Sequence, residues 1–193
     1  MSVQKNTTYP IHELLEKRKS GRAFEVKEIS DDILNRLFEA ARWSPSSYNE
    51  QPWRFLVTKR ETEAFDLLLN SLMEANQVWA KNASALVIAL SKKTFDRNNT
   101  ANRHYAYDLG SAVAHLSLQA TAEGLNIRQM GGYDPQKVKE NFSIPEEQEA
   151  FAVLAIGYPS ATPEKVLDEQ YLQMELAPQT RKEQDEFVQY VES

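Results

Sequence analysis

Ala85-Leu86-Val87-Ile88-Ala89-Leu90 is a short apolar run without one polar interruption. A strand with one wet face alternates apolar and polar side chains, whereas a strand covered on both faces reads as a continuous run. This stretch therefore predicts a central strand with a layer packed on each side. Ala150 to Ile156 is a second strongly apolar run, ended by Gly157-Tyr158-Pro159. Weaker strand signals lie at Trp53 to Thr58 and at Asn126 to Gln129. Between them the spacing turns helical, and strands alternating with helices predict an α/β helix–sheet–helix sandwich. With no internal repeat or low-complexity linker, residues 1–193 read as one domain.

The helices come with end signals. Ile11 to Arg18 carries Ile11, Leu14 and Leu15 on one face and is broken by Ser20-Gly21. Ser30 is a cap, and Asp31 and Asp32 suit the positive end of the helix dipole that follows. Ile33, Leu34, Leu37, Phe38 and Ala41 then recur at helical spacing up to Ser44-Pro45, where a residue before proline leaves the α region. Thr62 to about Met73 reads as one helix. Thr100 to Glu123 is the longest pattern, ended by Gly124, and Ala106, Gly110, Ala114 and Ala120 in it permit close approach of another helix. Asp134-Pro135 starts a further helix, proline being tolerated at a first position. The polar tail from Ser160 is too long for an ordinary loop and is expected to wrap a surface or a partner.

Composition narrows the chemistry. The chain carries a formal charge of −6, with 41% hydrophobic and 26% charged residues, a globular balance that disfavours a nucleic-acid partner. No stretch approaches a membrane span, and no leader-like apolar segment opens the sequence. Cysteine is absent, which removes disulfides, thiolate nucleophiles and dithiol redox chemistry and suits a reducing, cytoplasmic setting. Electrons, if the protein handles them, must sit on a bound cofactor. His12, His104 and His115 are dispersed and form no ligand spacing, so no metal site is expected.

Four segments carry functional groups. Arg18-Lys19-Ser20-Gly21-Arg22 offers cations and a hydroxyl that fit a phosphate, although a solvated helix end reads the same way. Ser44-Pro45-Ser46-Ser47-Tyr48-Asn49-Glu50-Gln51-Pro52-Trp53 packs hydroxyls, amides and stiffening prolines directly before a strand. Gln129-Met130-Gly131-Gly132 lets backbone approach a flat ligand, or is simply a turn. Arg181-Lys182 stands alone in the tail. Neither GxGxxG, GxxxxGK[ST] nor GxSxG is present.

In this order the segments resemble the nitroreductase family of FMN enzymes, over about Ile11 to Tyr190. Arg18 to Phe24 resembles the family's basic-Ser-x-basic-x-Phe motif, and Pro45 to Trp53 its Pro-Ser-Ser-x-Asn-x-Gln-Pro-Trp motif. The resemblance implies a central mixed sheet flanked by helices, in a homodimer whose subunits exchange extended segments, the tail from about 160 wrapping the partner. It implies that Arg18, Ser20 and Arg181 face the FMN phosphate and ribityl chain, with Lys19 and Lys182 as companion cations. Arg22 would lie at the pyrimidine edge. Pro45, Ser46, Ser47 and Asn49 would reach the flavin from the other subunit, with Gln51 nearby. Asn76 matches an amide on the ring, and Gly131 and Gly132 match backbone beside flavin N5. Trp79 stands where some members have a lysine, and Gln179 where some have a basic residue. The implied activity is transfer of hydride from NADH or NADPH to nitro compounds, quinones or related small acceptors in a ping-pong scheme. No side chain has a catalytic role there, because the flavin does the chemistry. A flavin-storing or regulatory protein, or a same-fold enzyme of other chemistry such as dehalogenation or dehydrogenation, is the alternative.

Overall fold

The computed structural model describes residue 5 and residues 7–191. The two apolar runs are the two inner strands of a four-stranded sheet. In chain order the strands are β1 (Trp53–Lys59), β2 (Ala85–Lys92), β3 (Asn126–Met130) and β4 (Gln148–Gly157), and they lie side by side as β1-β2-β4-β3. Period-two alternation sorts their side chains. Leu86, Ile88, Leu90, Val153, Ala155 and Met130 enter one core, while Val87, Ala89, Leu154, Ile156 and Ile127 enter the other.

Helices cover both faces. The second core is closed by α2 (Asp31–Arg42) and α5 (Tyr105–Ala122). The first is closed by α3 (Glu63–Leu69), α4 (Glu74–Ala80), α6 (Pro135–Asn141) and the side of α7 (Glu169–Leu176) that bears Tyr171 and Leu172. A short α1 (Glu13–Lys17) precedes them. This is the expected three-layer sandwich. Among the described residues no helix is long and apolar enough to cross a membrane.

The sheet corrects one expectation. It is not mixed: all three pairings among the described strands are antiparallel. Strands β2 and β3 do run the same way, and α5 carries the chain between them, but β4 inserts between the two. The β1–β2 link leaves and re-enters at one end of the sheet, where Lys59 pairs with Ala85. A run buried on both faces reads the same whichever way its neighbour runs.

Several boundaries also moved. The first helix spans only Glu13–Lys17, because Arg18 is already extended at ψ 122. The expected helix from Thr62 to Met73 is two helices. Between them Leu72 bridges Tyr133, and Asp134 N–H donates to Ser71 O at 2.8 Å. Helix α5 starts at Tyr105 because Thr100 and Ala101 fold back onto Phe95 and Thr94. The tail holds α7, capped by Asp168, whose carboxylate accepts from Tyr171 N–H at 3.0 Å.

Candidate functional site

The basic segment leaves α1 extended and passes over the outer strand β3. There the Arg128 guanidinium donates to Ser20 O at 2.7 Å. A Cβ on Gly21 would stand 2.5 Å from Asn126 Nδ2, so any larger residue would have to displace that amide. Glu175, on α7 and 6% exposed, clamps the segment from the other side. Its carboxylate pairs with Lys19 Nζ at 2.8 Å and accepts from Arg22 N–H at 2.7 Å. The Arg18 guanidinium donates to the Ser20 hydroxyl at 3.3 Å.

This packing leaves a cavity of about 260 Å³ lined by Arg18, Lys19, Ser20, Arg22, Arg128 and Arg181, with Glu175 and Gln179. Five cations face one carboxylate in a chain whose formal charge is −6. Burial, then the charge of Arg181, holds the Arg18 guanidinium below its usual range. Burial, then the neighbouring Arg22, does the same to Arg128, and Glu175 offsets part of it. Lys5 is lowered too, by burial and then by Arg18 and Arg181, and its ammonium donates to Arg18 O at 2.6 Å. Among the described residues Gln179 Oε1 is buried without a hydrogen-bond partner. Crowded, partly desolvated cations with unspent donors are the chemistry of an anion site.

Strand β3 runs from the cavity, where Arg128 lies, to the glycine pair. Asn76 on α4 donates through Nδ2 to Gly132 O at 3.0 Å, and Met73 N–H reaches the same oxygen at 3.0 Å. A Cβ on Gly132 would sit 2.8 Å from Asn76 Nδ2, whereas one on Gly131 would meet nothing within 4 Å. One turn after Asn76, Trp79 points into the core at 1% exposure, 6.4 Å from the ring of Phe24. The Arg128 guanidinium lies over its indole at 5.5 Å.

The Pro45–Gln51 segment is elsewhere. Ser47 N–H donates to Asp108 Oδ2 at 3.1 Å near the start of α5, and Gln51 N–H donates to Ser46 Oγ at 2.9 Å. These anchors hold Tyr48, Asn49 and Gln51 in the left-handed region at φ 54°, 57° and 52°. Such conformations persist only where the surroundings enforce them. The segment enters β1 at Trp53, which pairs with Ser91, itself opposite Glu149. Gly21 lies at Asn126, which pairs with Gly157 at the other end of β4. Eight residues along β4 and three strand spacings across the sheet separate the two corners. That is roughly 25–30 Å.

One chain thus gathers Arg18, Lys19, Ser20, Arg22 and Arg181 around one cavity, sets Asn76, Gly131 and Gly132 past the end of β3, and keeps Pro45, Ser46, Ser47, Asn49 and Gln51 at the opposite corner. Lys182 pairs with Glu186 at 3.6 Å and lines a different hollow, beside Thr8 and Phe187. Sequence reasoning missed Arg128, Glu175, Asp108 and Lys5. Arg128 had one usable signal, a cation inside a short stretch that reads as a strand; the others had none.

Fold and cavity give a three-layer α/β protein with a cationic cavity at a sheet edge. A family model described as Nitroreductase family matches residues 15–158, and the chain belongs to that family. It is similar to a solved oxidoreductase containing FMN, at TM-score 0.90 and 30% identity over 97% of this chain and 95% of that one. A solved nitroreductase family protein from Clostridium difficile gives TM-score 0.70 at 25% identity, covering 92% and 96% of the two chains. An NADH dehydrogenase of Thermus thermophilus is 26% identical over 172 residues, 75% of this chain and 84% of that protein.

Proposed function

We propose that the protein is an FMN-dependent NAD(P)H oxidoreductase that works as a homodimer with flavin sites made by both subunits. The observation that carries this reading is the cationic cavity beside β3, with Asn76 and Gly132 just past the end of that strand. It suits a ligand with a dianionic head and a flat polar body. Arg18, Lys19, Ser20 and Arg181 would hold the phosphate, and Arg22 the pyrimidine edge. Asn76 and the Gly131-Gly132 backbone would face the ring. Lys182 would add only to the field. Bound FMN supplies the redox chemistry, taking hydride from a nicotinamide and passing electrons to an acceptor.

The distance between the corners supports a second chain in the site. Pro45 to Gln51 lie farther from the basic segment than a flavin is long, so the loop on a given flavin would be the partner's. Two surfaces support such a dimer. Ala106, Gly110 and Ala114 form an exposed small-residue stripe on α5, and beyond it Ala120 turns into the core. The tail exposes Phe187, Tyr190 and Val191, which wrapping around a partner would cover. The cysteine-free composition supports a cytoplasmic location.

Each substrate must stack over the same exposed flavin face, so the nicotinamide and a nitro compound, quinone or related acceptor would use it in turn. Initial rates at several fixed acceptor concentrations should give the parallel lines of a ping-pong scheme. Intersecting lines would point to a separate donor site. A flavin-loaded protein that oxidises neither NADH nor NADPH with any acceptor would leave a storage or regulatory role.

A further inference from the structure

Arg128 stands apart from the motif residues. It sits on a strand rather than a loop, and it shares its face of β3 with Asn126 and Met130. Its guanidinium rests on the buried indole of Trp79, which Phe24 backs, so it is carried on a rigid apolar floor at the open edge of the sheet. Among the described residues its one hydrogen bond goes to Ser20 O at 2.7 Å. Glu175 cannot serve it fully, since that carboxylate is engaged by Lys19 and by Arg22 N–H.

Arg22 and Arg128 line one cavity, and the charge of Arg22 adds to burial in holding the Arg128 guanidinium low. Arg128 also lies toward the Asn76–Gly132 end of β3: it rests on Trp79, one turn after Asn76 on α4, and it precedes Gly131 by three residues, about 10 Å. Two partly buried guanidiniums lining one cavity cost energy unless a negative charge joins them.

We propose that Arg128 contacts the cofactor, and that with Arg22 it clamps the ring edge where negative charge gathers on reduction. This rests on the flavin reading above. Hydride transfer from NAD(P)H moves two electrons and one proton to the flavin and releases NAD(P)+. The reduced flavin then carries one more negative charge than the oxidised form. A preorganised cation couple binds that charge more tightly than the oxidised ring. If Arg128 served only to hold the Ser20 carbonyl, its loss would weaken both redox states alike.

The test uses the FMN-loaded full-length protein, wild type against Arg128→Met and Arg128→Lys. The flavin midpoint potential is measured by anaerobic dye equilibration, and the Kd of oxidised FMN by titration. In Arg128→Met the preference for reduced over oxidised FMN should fall about tenfold, which lowers the potential by about 30 mV for a two-electron couple. Arg128→Lys should recover most of it. If Arg128→Met does not fold, Arg128→Gln carries the same readout with a polar stem. A potential within error of wild type, with oxidised FMN unchanged or weakened, would overturn the role of Arg128 and leave the flavin reading standing. A folded wild-type protein that takes up no FMN would overturn both.

Discussion

Glu175→Gln should destabilise the protein by about 2 kcal/mol. In a site 6% exposed the carboxylate accepts a hydrogen bond from Arg22 N–H at 2.7 Å and forms an ion pair with Lys19 Nζ at 2.8 Å. Bonds to a buried charged group contribute about 1.5–3 kcal/mol each. The Lys19 contribution lies at the low end, because that side chain is 25% exposed and its ammonium also donates to Glu175 O at 3.1 Å. A glutamine oxygen can still accept from Arg22 N–H, but its NH2 then faces Lys19, with Arg128 beyond. The two effects leave about 2 kcal/mol, or a fall in Tm of roughly 4–8 °C for a chain of this length. Thermal unfolding at fixed protein and FMN concentration reads it. Glu13→Gln, whose partner Lys17 lies on the exposed face of α1, should not move Tm measurably. If Glu175→Gln melts within 1 °C of wild type, α7 is not clamping the basic segment as described.

Three further outcomes follow from the same geometry. Gly132→Ala puts a Cβ 2.8 Å from Asn76 Nδ2, so the amide must swing away from Gly132 O; urea unfolding should show a loss of about 1 kcal/mol, while Gly131→Ala, which meets open space, should leave the midpoint unchanged. Asp108→Ala removes the acceptor of Ser47 N–H; amide exchange at Ser47 to Gln51 should then speed up at least tenfold, and unaltered exchange would show that the loop is held by other contacts. Refolding Arg18→Ala together with Asn49→Ala should restore up to about half of wild-type activity per mixed dimer, since one of two sites then carries neither defect; no recovery in verified mixed dimers would place both motifs on one flavin from one chain.

The sandwich was legible in the sequence because burial on two faces leaves a direct mark, as in Ala85 to Leu90. Strand direction was not, because the position of β4 between β2 and β3 depends on connections rather than on any residue pattern. Helix ends were readable where a side chain caps them, as at Ser30 and Asp134. They were misjudged where tertiary pairing broke a good periodic run, as at Leu72 with Tyr133. In the site, Arg18 to Arg22 and Asn76 with Gly132 were visible as motif residues. Glu175 was not, because a lone glutamate in a polar tail looks solvated until α7 folds back. Asp108 was hidden for the same reason: its partner is a backbone N–H 61 residues away in sequence.

The proposed cofactor of the cationic cavity is FMN, turning over with a nicotinamide. The most direct measurement is the absorbance spectrum of the protein purified from cells and topped up with FMN, with mass analysis of the released cofactor, before and after anaerobic NADH or NADPH. One FMN per chain, no FAD, and full bleaching of the flavin band by a stoichiometric amount of at least one donor are expected. A folded protein that stays colourless with added FMN, releases FAD, or holds FMN that neither nicotinamide bleaches would contradict this reading.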